Sequence, residues 1–248
     1  MDWSYQLYSS RDTKPWPDVL RYLAKFGYKK VEGYGPVYAD PKAFRAELNK
    51  NGLKMATGHF SIDLLEKDFA TAIATAKTLG VKLIACPYLN PDVRPSTVKG
   101  WQDFGKRLGK IGKKATDAGF QFAWHNHDFE FKLLPDGAAP MRHILDAAPD
   151  IGWEMDVAWV IRGGTDPAPW IDRYGPRILA VHVKDIAKAG TNLDQDGWSD
   201  VGSGTVDWKG LVKQLKAKTK AKHFIVEHDK PASAENFAKK SIAALEKF

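Results

Sequence analysis

The ten residues FAWHNHDFEF, at 122–131, hold two histidines, an asparagine and two carboxylates among aromatic side chains. Side chains alternate along an extended strand, so His125 and His127 share one face while Trp124 and Asn126 share the other. Paired imidazoles can ligate a metal or move protons near neutral pH. Similar chemistry recurs at the ends of other β-rich runs, at Glu32, His59, Tyr88, Asp156, His182, Lys184, Asp185, Glu227 and His228. Five of the seven histidines fall at such ends, where random placement would scatter more of them onto helices. His143 sits inside a helical stretch and His223 opens a run, so neither is assigned a function. His228 should point away from the face of Glu227 and is read as packing.

These residues need elements to position them. In LAKFGYKKVEGY, LNKNGLKMATGH, AKTLGVKLIACP and ATDAGFQFAWHN, a helical segment ends at a glycine and a β-rich run follows. Gly27, Gly52, Gly80 and Gly119 stand where a helix C-terminal glycine belongs. The runs are apolar or alternating, as buried parallel strands are. Eight strands are expected, at 4–8, 29–33, 53–58, 81–86, 120–126, 151–156, 178–183 and 223–227. Helices fall between them, most plainly at 97–118 and 233–247. Eight strand–helix repeats in about 250 residues predict an α/β fold, a (β/α)8 TIM barrel, as a single domain over 1–248. The rival is a doubly wound open sheet, but no G-x-G-x-x-G follows the first strand.

In a barrel the strand ends share one rim, where active sites are built. His125, Asp156, His182 and Glu227 then lie on four consecutive strands about 4.8 Å apart. Two imidazoles with two carboxylates suit a divalent Mn, Zn, Co or Fe ion.

The chain carries a formal net charge of +7. Much of that charge recurs at helical spacing, as in KRLGKIGKK (106–114) and KGLVKQLKAKTKAK (209–222), which reads as a solvated helix face. A nucleic-acid partner is therefore not expected. Cys86 is the single cysteine, which excludes an internal disulfide. No apolar run has the length of a membrane span, so no membrane partner is expected. The expected compartment is the cytoplasm, or the periplasm if a leader was removed before YQLYSS. Homo-oligomerisation is left open.

The stretches QLYSSRD, GYKKVEGYG, HFS, GFQFAWHNHDFEF, IGWEMDVAWV, ILAVHVKD, VGSGTVDW and FIVEHD carry a resemblance along nearly the whole chain. It resembles the xylose isomerase-like TIM barrels, the sugar phosphate isomerase/epimerase group that also contains ketose 3-epimerases, inosose dehydratase, hydroxypyruvate isomerase and endonuclease IV. The fifth- and seventh-strand stretches point to a subgroup with HNH on strand 5. The resemblance implies a metal-dependent isomerase or epimerase acting on a small carbohydrate or polyol. The family's metal pattern is Glu, Asp, His, Glu at the ends of strands 5 to 8. Asp156, His182 and Glu227 match it, and His125 stands where the first glutamate belongs.

That departure removes one of the two glutamates that face each other across the substrate in the epimerases. It also takes the ligand charge from about three to two, which leaves a divalent ion near neutrality and a stronger Lewis acid. Glu227 remains as a base, and His127, Glu130, His59 or Lys184 would supply the second proton-transfer group. Tyr88, Trp159 and Glu32 are the expected substrate contacts, and Glu130 either orients a neighbour or contacts substrate with them. Glu32 also reads as a buried carboxylate bonded to its surroundings. Phe60 and Trp198 would add aromatic surface for sugar stacking. Epimerase, isomerase, and lyase or hydrolase on a keto-sugar derivative all begin by removing a proton next to a carbonyl. A non-catalytic sugar-binding barrel is the other alternative. The loop VGSGTVDW could cradle an anion on its backbone N–H groups.

Overall fold

A computed structural model describes residues 2–247. The barrel strands are, in chain order, Trp3–Gln6, Lys30–Gly33, Lys54–His59, Leu83–Cys86, Gln121–His125, Gly152–Asp156, Ile178–Val183 and His223–Val226. Each pairs in parallel with its sequence neighbours, and the first closes on the eighth. The fold is a (β/α)8 TIM barrel. Strand boundaries expected from the sequence agree to within two residues. The first strand stops at Gln6 because Leu7–Ser10 turns into a 3₁₀ helix, with the Gln6 side chain accepting from the Tyr8 N–H.

The helix Val98–Asp117 shows why the repeat forms. Thr97 caps its start, accepting from the Gly100 N–H at 3.1 Å. Trp101, Phe104, Leu108, Ile111 and Ala115 line one buried stripe against the strands. It ends where Gly119 takes φ +89°. Gly27, Gly52 and Gly80 likewise adopt positive φ. These left-handed residues let each helix stop abruptly and the next strand begin at once.

The apolar core lies between strands and helices and includes Trp124 and Trp153, both fully buried. Inside the barrel a second small cluster, Leu83, Ala123, Ala180 and Ile225, plugs the lumen. On alternate positions above that plug the lumen turns polar. A short antiparallel ribbon, Asp185–Ile186 with Trp198–Ser199, rises from the end of the seventh strand over the mouth.

The VGSGTVDW loop does not offer its amides to a ligand. The Asp185 carboxylate accepts from the N–H groups of Gly202, Gly204 and Val206 at 2.9–3.1 Å. A side chain at Gly204 would collide with that carboxylate. The expected anion cradle is already filled by the protein's own anion.

Candidate active site

Strand register decides which side chains meet. His125 pairs across from Glu154, Asp156 from His182, and His182 from Ile225. Gln6 pairs across from Glu32. The period of two then brings Glu154 and Asp156, His182 and Lys184, and Glu227 and Asp229 to the lumen side in two tiers.

In the lower tier, Glu154 Oε2 lies 2.7 Å from His59 Nε2, 3.4 Å from His125 Nδ1 and 3.5 Å from His182 Nε2. Glu32 Oε1 sits 2.7 Å from His182 Nε2 and accepts from Gln6 Nε2 at 2.8 Å. The His59 and His182 rings stack 5.3 Å apart, inclined by 5°. Burial opposes a charge on His59, but Glu32 and Glu154 outweigh it and hold its pKa up at about 10. His182 is raised in the same way, mainly by Glu227, Glu154 and Glu32 against burial. Burial and the charge of His182 push His125 well below the usual imidazole range. Burial and the charge of Glu32 lift Glu154 to about 7.

In the upper tier the Lys184 ammonium lies 2.9 Å from Glu227 Oε2, 2.9 Å from Asp229 Oδ2 and 3.2 Å from Asp156 Oδ2. Lys184 is fully buried, and it is held charged because the three carboxylates overcome desolvation. Glu227 also bonds His182 Nδ1 at 2.8 Å. Burial works against its charge, yet Lys184 and His182 keep it well below the usual carboxylate range. Burial raises Asp156 and Asp229 instead. Asp156 Oδ1 caps the short helix Val157–Arg162, accepting from the Trp159 N–H at 2.9 Å.

A cavity of about 550 Å³ opens above these tiers. His59, His125, His127 and Glu227 reach its wall, with Tyr88, Phe60, Trp159 and Trp198 as aromatic surfaces. Arg162 lies 3.2 Å over the Trp198 ring and fixes it in place. Burial, then Lys184, pushes His127 down to about 3, so its imidazole is neutral.

Asp156, His182 and Lys184 stand behind this wall. So do Glu32 and Glu130, which corrects their expected contact with substrate. Glu32 is fully buried among His182, His59 and Gln6. Glu130 is fully buried as well, accepting from Trp124 Nε1 at 3.0 Å and from the His127 N–H at 2.9 Å. It shapes the turn that presents His127. Asn126 accepts from Trp153 Nε1 at 2.8 Å and from the Asp156 N–H at 3.0 Å, and it donates to the Asp156 carbonyl. The asparagine between the histidines thus clamps strand 5 to strand 6. His228 is buried against Phe237, and its Nδ1 accepts from the Lys230 N–H.

Glu154, Asp229 and Gln6 were not anticipated. The signal was there for two of them. Glu154 precedes Asp156 by two residues and Asp229 follows Glu227 by two, so each shares the lumen face of an expected residue.

A divalent ion fits this chemistry. His125 Nδ1, Glu154 Oε1 and Glu32 Oε2 are buried without a hydrogen-bond partner among the described residues. Such atoms are costly unless something satisfies them. Two groups have donor atoms close enough to share an ion, His59–His125–Glu154–His182 and Asp156–His182–Glu227. The four expected ligands therefore straddle both groups and meet at His182.

A family model described as xylose isomerase-like TIM barrel matches residues 20–248. The inosose dehydratase of Lacticaseibacillus casei is 24% identical over 244 residues, covering 85% of this chain and 81% of its own. A sugar phosphate isomerase/epimerase from Parabacteroides distasonis superposes with a TM-score of 0.83 at 21% identity, over 98% of this chain and 93% of that one. The IolI protein, solved with a bound zinc atom, superposes with a TM-score of 0.78 at 16% identity, over 100% and 97%.

Proposed function

The chain belongs to the xylose isomerase-like TIM barrel family, and from that premise we propose that it is a cation-dependent isomerase or epimerase that moves a proton next to the carbonyl of a small carbohydrate or polyol. The observation that carries this reading is Glu227 at the wall of an aromatic-lined cavity, with the buried Lys184 ammonium 2.9 Å behind it. Glu227 is ionised at neutral pH and reaches the cavity, so it is the group that removes the proton. A carboxylate held so far below its usual range is a weak base and works only on an acidified C–H. The Lys184 ammonium, enclosed behind the wall, does not touch substrate but holds Glu227 ionised, so the acidification has to come from charge stabilised at the substrate carbonyl oxygen. A divalent ion held by the imidazoles and carboxylates around His182 would act as a Lewis acid on the same oxygen. His127, neutral and facing the cavity beside Tyr88 and Trp159, serves the second proton transfer. Tyr88, Trp159, Trp198 and Phe60 offer flat faces to the C–H surfaces of a sugar ring.

A second reading is a lyase. It is favoured by the inosose dehydratase relative, which spans most of the chain. After the same proton removal, a hydroxide would leave from the next carbon, so that proton and hydroxide depart together as water. Both readings share Glu227 and diverge only afterwards.

The test is incubation with free, oxidised and glycosylated sugars in deuterated buffer with Mn²⁺, followed by NMR and mass spectrometry. Isomerisation or epimerisation incorporates solvent deuterium without loss of mass, whereas a lyase sheds water. Glu227→Gln should abolish exchange while keeping the ligand-induced rise in melting temperature. Undiminished exchange in that variant would remove Glu227 from its role. Binding without exchange in the wild-type protein would favour a sugar-binding barrel.

A further inference from the structure

Resting on the cation-dependent reading above, we propose that the divalent ion binds in the lower tier, on His59, His125, Glu154 and His182, and not among the strand-end carboxylates. Of the four ligands expected from the sequence, His125 and His182 are kept. Asp156 and Glu227 are reassigned to the proton-transfer tier, and Glu154 and His59 take their place.

Three observations carry this. First, imidazole nitrogens from strands 3, 5 and 7 converge on a single carboxylate oxygen of strand 6, at 2.7, 3.4 and 3.5 Å. The four ligand atoms lie within 4.8 Å of one another. Ligands at about 2.1 Å from an ion are at most about 4.2 Å apart, so small side-chain rotations close the set. His125 Nδ1 and Glu154 Oε1 have no other partner.

Second, the carboxylate group above already holds a cation. The Lys184 ammonium sits among Asp156, Glu227 and Asp229 within 3.2 Å of each. An ammonium cannot ligate a metal, and at that distance in a buried site it repels one strongly. In the lower tier Glu154 and Glu32 together match the charge of a divalent ion once it displaces the protons that His59 and His182 hold there, a release that an imidazole allows and the Lys184 ammonium does not.

Third, the surroundings orient the ligands. With His182 Nε2 turned to the ion, its Nδ1 keeps the 2.8 Å bond to Glu227. That is the carboxylate–imidazole–metal arrangement by which outer partners fix a ligand's tautomer. The same bond would link the ion to the base, so both tiers face one substrate. His59 and His125 reach the cavity wall, giving substrate oxygens access to the ion. Three imidazoles with one carboxylate favour Zn, Fe, Co or Mn over Ca or Mg.

The experiment is metal stoichiometry by mass spectrometry, with Mn²⁺ affinity by electron paramagnetic resonance, on chelator-stripped protein reloaded with Mn²⁺ or Zn²⁺. Glu154→Gln should weaken binding roughly a hundredfold, the upper range for perturbing a metal's shell. Asp156→Asn should cost less than about tenfold, the low end of what removing even an outer partner of a ligand costs. His59→Asn repeats the test from the cavity wall should Glu154→Gln fail to fold, as judged by circular dichroism. Loss of the ion in Asp156→Asn with retention in Glu154→Gln or His59→Asn would overturn the assignment. So would equal loss or equal retention across the variants. A wild-type protein that takes up no ion at all would instead overturn the cation-dependent reading on which the assignment rests.

Discussion

His182 and Lys184 stand two residues apart on one strand, face the same lumen and yet serve opposite surroundings. His182 looks into a tier of imidazoles with two carboxylates, Glu32 and Glu154. Lys184 looks into a tier of three carboxylates with no other cation at contact distance among the described residues. The lower tier gathers imidazole nitrogens and carboxylate oxygens, two of them, His125 Nδ1 and Glu154 Oε1, unpartnered among the described residues, which suits coordination once an ion displaces the imidazole protons. The upper tier is a compact ion-pair network in which one carboxylate is held ionised while burial lifts its neighbours. A barrel strand can thus deliver two kinds of chemistry to one cavity simply by repeating every second residue.

The sharpest way to break this contrast is Lys184→Met. It leaves the upper carboxylates buried with no ammonium while the lower tier keeps all its members. Breaking a buried ion pair from one side costs about 3–5 kcal/mol. The loss should appear in urea denaturation at pH 7 and shrink at pH 5, where the uncompensated carboxylates take up protons. Metal affinity of the lower tier should not fall. An undiminished unfolding free energy would mean that the three carboxylates do not depend on Lys184, and the two-tier contrast would fail.

Much of this architecture was readable in the sequence. The helix-ending glycines and the apolar runs after them locate four strands, and extending the same rhythm to the other apolar runs locates the remaining four. The placement of histidines at strand ends points to the rim. Asp156, His182, Lys184 and Glu227 are found by that logic because each ends, or closely follows, a β-rich run. Glu154 was passed over because it lies inside its strand, where a carboxylate reads as out of place rather than as lumen-facing. The separation into two tiers was beyond sequence reasoning altogether. It depends on the stagger of the strands around the barrel, and that stagger slips at two irregularities, between Val31 and Glu32 and between Trp153 and Glu154. Gly33 and Gly152 stand beside the two slips, but a glycine next to a strand residue does not say that the register shifts there or by how much. Glu32 and Glu130 each carried two readings in the sequence, a structural one and a substrate contact. Only packing shows that one is enclosed by histidines and the other by its own turn.

A milder perturbation touches both tiers at once. Asn126 joins strand 5, which carries His125, to strand 6, which carries Glu154 and Asp156. Asn126→Ala leaves the Trp153 indole N–H and the Asp156 N–H without their acceptor inside the protein. Unsatisfied buried donors cost about 1–3 kcal/mol each, part of which relaxation recovers. A net loss of about 2–3 kcal/mol in urea denaturation is expected, with weaker metal retention as well. Loss of stability with metal retention intact would show that strand 6 keeps its place without the clamp.

The smallest expected effect separates the tiers by pH. His59 is raised to about 10 by Glu32 and Glu154 against its burial. A raised imidazole contributes stability that is fully present below its unfolded pKa, near 6.5, and is lost as pH climbs through about 10. Glu227 is depressed by Lys184 and His182. Its contribution is fully present above its unfolded pKa, near 4.5, and is lost as pH falls toward its low folded value. The His59 contribution therefore falls on the alkaline limb and the Glu227 contribution on the acid limb, although Glu32 adds to the acid limb from the lower tier and Lys184 to the alkaline limb from the upper one. In chelator-treated protein, His59→Gln should flatten the alkaline limb and leave the acid limb in place, while Glu227→Gln should do the reverse. Coupling within each tier offsets part of each contribution, because Glu32 is depressed by the same imidazoles that it holds charged. The residual shift should be on the order of 2–4 °C in melting temperature, as expected for about 1 kcal/mol in a chain of this size. Both variants flattening the same limb would show that the two tiers titrate as one network, with no division between coordination and proton transfer.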